Sequence, residues 1–278
     1  MSRRVVTLAV GTILTASIAA IALVSLVWLP HPIDDTSGGR LVPPGTDGYL
    51  FGTDTLGRDL TTQFMIGARV AMLTGIGAVA IAAAIGIVVG IVAAFAQGWL
   101  DDTLAALLDI LIAFPTLLLA MLIVAAQPAT LWTAILAIGL AQSAIIARLT
   151  RILVRRILAS DYVTAARTSG TGPLGIVVGH VLPNIWTTLA VSLALQFGLA
   201  VLAEASLSYL GLGAPPPNAS WGRLLQEAQQ TVLVAPMGAI VPGVLLIVLV
   251  IGVNLIADGL RDALDPTLPG ARRKEVAR

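Results

Sequence analysis

Six long apolar runs, at residues 5–29, 70–96, 103–126, 129–147, 185–203 and 232–257, decide what this chain can fold into. A helix needs about 20 apolar residues to cross the hydrocarbon of a bilayer, because every backbone amide must find its partner inside the segment. The chain is 57% hydrophobic and 11% charged, with a mean hydropathy of +0.95, whereas a soluble domain carries about 25% charged residues. An all-α, polytopic membrane protein with six transmembrane helices is therefore expected. Asp109 and Phe114-Pro115 interrupt the third run, which is the one expected to kink. The first run follows Arg3-Arg4 but exceeds the roughly 7–15-residue apolar core of a secretory signal, so an uncleaved span is expected.

Basic residues set the orientation. With the N-terminus inside, twelve of the 16 Lys and Arg residues fall on the inner side, and Arg40, Arg58, Arg69 and Arg223 on the outer side. Both termini are thus expected in the cytoplasm. Three regions follow: an N-terminal transmembrane helix with an external loop (1–66), a five-helix core with a long inner loop (67–266), and a basic cytoplasmic tail (267–278).

Several functions are excluded early. No cysteine is present, so disulfide, thiolate and iron–sulfur chemistry are out. His31 and His180 stand far apart in sequence, which argues against a multi-His metal site and a Ser/His/Asp arrangement. A net charge of +1 offers no broad footprint for nucleic acid. No catalytic residue, metal ligand or bound cofactor is expected on this chain.

The stretch FGTDTLGRDL at 51–60 imitates a phosphate-cradling loop, with Gly52 and Gly57 at the right separation. The imitation fails. Lys274 in the tail is the only lysine, Asp59 stands where a magnesium-binding hydroxyl belongs, and the segment falls in an external loop. It is read instead as a loop in which Asp54 caps a short interfacial helix before the second span. Any nucleotide hydrolysis is left to a partner.

The long inner loop, 148–184, is the most informative segment. Ser160 or Asp161 is placed to cap a helix that passes Tyr162, Thr164 and Arg167 and stops at Gly170. Tyr162, Ala165, Ala166 and Ser169 share one face. That face is small and mildly apolar, suited to a groove on another protein or to lipid headgroups. Gly172-Pro173 interrupts the chain, and a second short helix is expected to run to Leu182-Pro183.

These residues carry a resemblance. DYVTAARTSG, followed by HVLPN, resembles the cytoplasmic loop of permease subunits from binding-protein-dependent ATP-binding-cassette importers. In that pattern Glu-Ala-Ala is followed by Gly and later by Leu-Pro. Thr164-Ala165-Ala166, Gly170 and Leu182-Pro183 occupy those places, with Thr164 replacing the acidic residue and Thr168-Ser169 departing from the usual apolar pair. FGTDTLGRDL, Gly67–Arg69, DILIAFPTLLLA, SYLGLGAPPPNASWG and ADGLRDALDP resemble the peptide/nickel branch, the DppC/OppC type, in order and at family spacing. The resemblance implies a type I importer permease fold in a bacterial inner membrane. It also implies a second homologous permease, two cytoplasmic ATPases holding ATP and Mg²⁺, and an external solute-binding protein. Di- or oligopeptides would be the cargo, and the helix at 162–170 the point of attachment for an ATPase.

Other residues admit two readings. Asp109 and Glu204 are pathway candidates, because carboxylates within a span are costly; the plainer reading has Asp109 meeting a neighbouring arginine and Glu204 the headgroups. Gln142, Gln196 and Asn254 suit interhelical hydrogen bonds or the pathway wall. Gly86 and Gly90 form a helix-packing face. Arg148, Arg151 and Arg155 share a face expected to reach lipid phosphates in preference to specific ion pairs with an ATPase. In the second large external loop, Pro215-Pro216-Pro217 is stiff, Trp221 suits the membrane interface, and 223–230 suits a short surface helix. This loop is a lid, a docking place for the binding protein, or both. The rival class is an ion-gradient-driven secondary transporter or channel, which needs buried ionisable groups and broken helices beyond Asp109 and the Pro236/Pro242 pair.

Overall fold

The computed structural model describes residues 3–213, 215 and 219–264, and among these every regular element is helical. In chain order these are α1 (Arg3–Val27), α2 (Leu60–Phe95), α3 (Trp99–Ala113), α4 (Thr116–Ala125), α5 (Leu131–Leu158), α6 (Asp161–Thr168) and α7 (Pro173–Ile176). A π-turn over Val177–Val181 leads into α8 (Leu182–Tyr209), followed by α9 (Trp221–Ala228) and α10 (Met237–Leu264). Five helices and the bent α3–α4 pair are long and apolar enough to cross a membrane, which gives the six spans expected. Pro216 and the basic tail 267–278 lie outside the described residues.

The third span bends where the sequence placed its interruption. α3 and α4 meet at 88°. Pro115 cannot donate an amide and pushes the residue before it out of the helical region, and Phe114 is extended, at φ −77° and ψ 131°.

The start of α2 corrects one expectation. No separate interfacial helix capped by Asp54 forms. Asp59 caps α2 itself, accepting from the amides of Thr61 and Thr62 at 3.0 and 3.1 Å, so the approach and the span are one helix of 36 residues.

Small residues bring the helices together. α2 and α5 run side by side, and a Cβ on Gly86 would lie 2.7 Å from Ile146 Cβ, one on Gly90 2.5 Å from the Ala147 carbonyl oxygen. Gly139 of α5 answers with a similar approach to Ile81, 2.7 Å from its Cβ. The same device joins α1 to α10, where Gly11 abuts the Gly252 carbonyl oxygen at 2.7 Å. Lipid offers no hydrophobic drive between helices, so close backbone approach carries the association. Gln142 Nε2 donates across α5 and α8 to the Gln196 carbonyl at 3.2 Å, the interhelical role expected of it.

The arginines of α5 correct a second expectation. They turn to α3 and not to lipid phosphates: Asp101 meets Arg151 at 2.6 Å and Arg155 at 2.5 Å, and Asp109 meets Arg148 at 3.6 Å. The cause is the length of α5, which continues as helix to Leu158 and so presents the basic face to the acidic residues of α3.

Candidate functional site: the loop helix and the opposite lid

At the end of the bundle where α2 and α5 finish, α6 forms as a defined peg. Ser160 stands at the N-cap position with extended backbone, and its carbonyl accepts from the amides of Val163 and Thr164. Its hydroxyl turns back to the Ile157 carbonyl at 2.5 Å and does not cap. Asp161 lies in the first turn and Arg167 in the last, each on the favourable end of the helix dipole. Gly170 adopts φ +90°. Its amide reaches the Arg167 carbonyl and the Thr171 amide the Ala166 carbonyl, both at 3.0 Å, the two bonds of a Schellman stop.

One side of the peg is anchored and the other free. Val163 is fully buried, in a cluster with Ala94, Val154, Ile176, Val181 and Ile185. Tyr162, Thr164, Ala165, Arg167 and Ser169 are exposed and Ala166 is half-buried, so the face expected to dock points away from the bundle. Arg155 and Arg167 border a cavity of about 630 Å³ between α6, α7 and the ends of α2 and α5. Leu182 packs against the Val163 cluster, while Pro183 is exposed. The expected helix end at Leu182-Pro183 is a third correction: the chain passes through a π-turn and continues as α8.

At the opposite end, α9 and the 51–60 loop lock together. Asp54 accepts from the Leu56 and Arg58 amides, from Arg58 Nε at 2.7 Å and from Gln63 Nε2 at 2.9 Å. Arg58 also reaches Glu227 at 3.3 Å, which in turn holds Arg223 at 2.9 Å. Gly52 and Gly57 both take φ +84°, and both press against carbonyls of the preceding segment, those of Val42 and Gly38. The glycines serve a folded loop, not a phosphate.

Trp221 departs from the membrane-interface expectation. It is 1% exposed, and its indole Nε1 donates to the Phe64 carbonyl at 3.1 Å. Gly67 makes the slot, since a Cβ there would collide with the indole. Glu204 meets neither headgroups nor open path in this chain. It is 2% exposed and bonded by the hydroxyls of Ser208, at 2.6 Å, and Ser220. Gln196 is buried, and its side-chain oxygen and that of Gln142 have no partner among the described residues. Asp109 is well exposed and pairs only loosely with Arg148.

Sequence reasoning missed Asp59, Asp101, Val163 and Asn184. Asp59 directly precedes the helix it caps, a signal that Asp54 obscured. Asp101 and Asp109 lie about two helical turns apart, as Arg148 and Arg155 do, which was the signal that the two helices could pair.

Residues 86–269 match the family model described as the binding-protein-dependent transport system inner membrane component. The di/tripeptide transport system permease protein DppC of Pseudomonas aeruginosa is 40% identical over 236 residues, covering 83% of this chain and 78% of that protein. The dipeptide transport system permease protein DppC of Alkalihalophilus pseudofirmus is 36% identical over 260 residues, covering 93% and 85%. A chain of the methionine ABC transporter MetNI, solved in an inward-facing conformation, superposes with a TM-score of 0.59 at 18% identity, covering 74% of this chain and 96% of that one. At that identity the likeness is one of fold. The chain belongs to the family of inner-membrane components of binding-protein-dependent transport systems.

Proposed function

We propose that this chain is one of two homologous permeases in an ATP-binding-cassette importer for di- and oligopeptides. Two cytoplasmic ATPases, carrying ATP and Mg²⁺, grip α6, and an external solute-binding protein delivers cargo at the α9 lid. The chain performs no bond chemistry itself. Both termini face the cytoplasm, and ATPase closure, transmitted through α6, drives alternating access. The observation that carries this reading is the division of α6 into an anchored side at Val163 and an exposed small-residue face at Tyr162, Ala165 and Ala166. The peptide cargo rests on the peptide-transport names of the 36–40% identical relatives.

Co-purification tests the attachment. Native chain retains both ATPases in stoichiometric amount, whereas Ala165→Arg and Ala166→Glu lose them while the lid contacts persist. Gly170 is a poorer test site, since its positive φ makes any side chain strained. Normal assembly and uptake with both charged variants would refute the attachment. Ion-gradient-driven uptake by the lone chain in liposomes would establish the rival class instead.

A further inference from the structure

Pro183 and Asn184 create a break in helical register for which attachment of an ATPase alone gives no reason. Over Val177–Val181 the backbone is a π-turn, with the Leu182 amide donating to the Val177 carbonyl five residues back. Pro183 has no amide to offer the Gly179 carbonyl, and its ring crowds that carbonyl. One widened turn lets the chain stay helical. The next carbonyl, that of His180, is taken by the side chain of Asn184, Nδ2 to O at 2.6 Å. A Cβ on Gly179 would meet nothing within 4 Å, so packing does not demand this glycine. Its effect is to leave the widened turn unstiffened.

The turn is held by α6 on one side and by the bundle on the other. Val163 of α6 packs in one cluster with Ile176, Val181 and Ile185, and the Tyr162 and His180 rings lie 6.0 Å apart. Past the turn, α8 runs unbroken to Tyr209, where Glu204 and Ser208 meet the lid through Ser220. A displacement of α6 therefore acts directly on the one segment of the α7–α8 helix whose register can change. A π-turn is a local widening of an α-helix, often found at functional positions. Tightening it back to α geometry rotates everything downstream about the helix axis.

We propose that the Val177–Val181 turn is a register-shifting joint, with Asn184 as its positioning residue, so that α8 rotates about its axis when α6 is displaced. This inference rests on the reading of α6 as the attachment point, and the experiment separates the two.

The chain contains no cysteine, so Leu174→Cys and Trp186→Cys, at positions 81% and 58% exposed, bracket the turn with two unique spin labels. The complete importer, with its ATPases, is placed in lipid nanodiscs, and pulsed EPR measures the label separation without nucleotide and after vanadate trapping of ATP. The separation is expected to shift on trapping. Gly179→Ala abolishes the shift, and uptake of a tritiated dipeptide mixture per ATP hydrolysed falls at least about fivefold, the low end of coupling between sites. Asn184→Ala has the same effect. Asn184→Ser, whose hydroxyl can donate back to the His180 carbonyl, restores both readouts. An unchanged separation in a native complex that hydrolyses ATP overturns the joint and leaves the attachment standing. Absence of ATPases from the native complex overturns both.

Discussion

Adding one methyl group at Gly90 tests whether close approach of α2 and α5 holds the bundle together. The new Cβ in Gly90→Ala would stand 2.5 Å from the Ala147 carbonyl oxygen and 2.5 Å from Thr150 Cβ. Ordinary carbon–oxygen contacts lie at about 3.3–3.6 Å, and neither neighbour is the free end of a flexible side chain. The helices must therefore part by about 1 Å, a gap that forfeits roughly a quarter to a half of the dispersion energy of each facing contact. A loss of about 1–3 kcal/mol is expected, as for an overpacked core. Gly86→Ala meets Ile146 Cβ at 2.7 Å and the Ser143 carbonyl oxygen at 2.8 Å, and should cost a similar amount. One separation relieves both clashes, so the double variant should cost less than the sum, by at least about 0.5 kcal/mol. Unfolding by SDS titration in mixed micelles, followed by circular dichroism, gives these differences. Gly243→Ala is the control, because a Cβ there meets nothing within 4 Å and the helix gains up to about 1 kcal/mol from the better helix former. A Gly90→Ala variant as stable as the native chain, or strictly additive costs in the double, would refute the reasoning.

The remaining predictions concern single contacts. Asp59→Ala removes the cap of α2 and should cost about 0.5–2 kcal/mol in the same titration, while Asp59→Asn retains most of that stability. Trp221→Phe keeps the ring but strips the Phe64 carbonyl of its donor, costing about 1–3 kcal/mol; limited proteolysis should show faster cleavage within 206–231, and unchanged cleavage would contradict it. A double-mutant cycle of Asp101→Ala and Arg151→Ala should give a favourable coupling, because the two side chains meet at 2.6 Å and are mostly covered by their neighbours. A coupling near zero would make the α3–α5 ion pairs incidental.

The spans were legible because apolar length alone specifies a crossing, and the bend because Pro115 disturbs its own helix. The stop of α6 was legible for the same local reason: Gly170 supplies the left-handed residue that a Schellman ending requires. What sequence did not reveal depends on contacts distant along the chain. Trp221 looks like an interfacial aromatic until Gly67 is seen to open a slot for it. The α5 arginines look like lipid anchors until α3 is laid beside them. Leu182-Pro183 looks like a helix end because proline usually makes one, and only the wide turn together with the Asn184 amide lets the helix pass. Asp54 alone looked like the cap, and it fails as one because Arg58 and Gln63 already occupy it, which leaves Asp59 to cap α2.

The Arg58–Glu227 pair joins residues 169 positions apart. At synthesis rates of about 5–20 residues per second, some 10–30 s pass between the emergence of the two partners. During that interval Arg58 has only Asp54, within its own loop, to pair with, and the slot at Gly67 stands without its indole. The contacts that close this end of the bundle are therefore completed only after residues 221–227 have been synthesised.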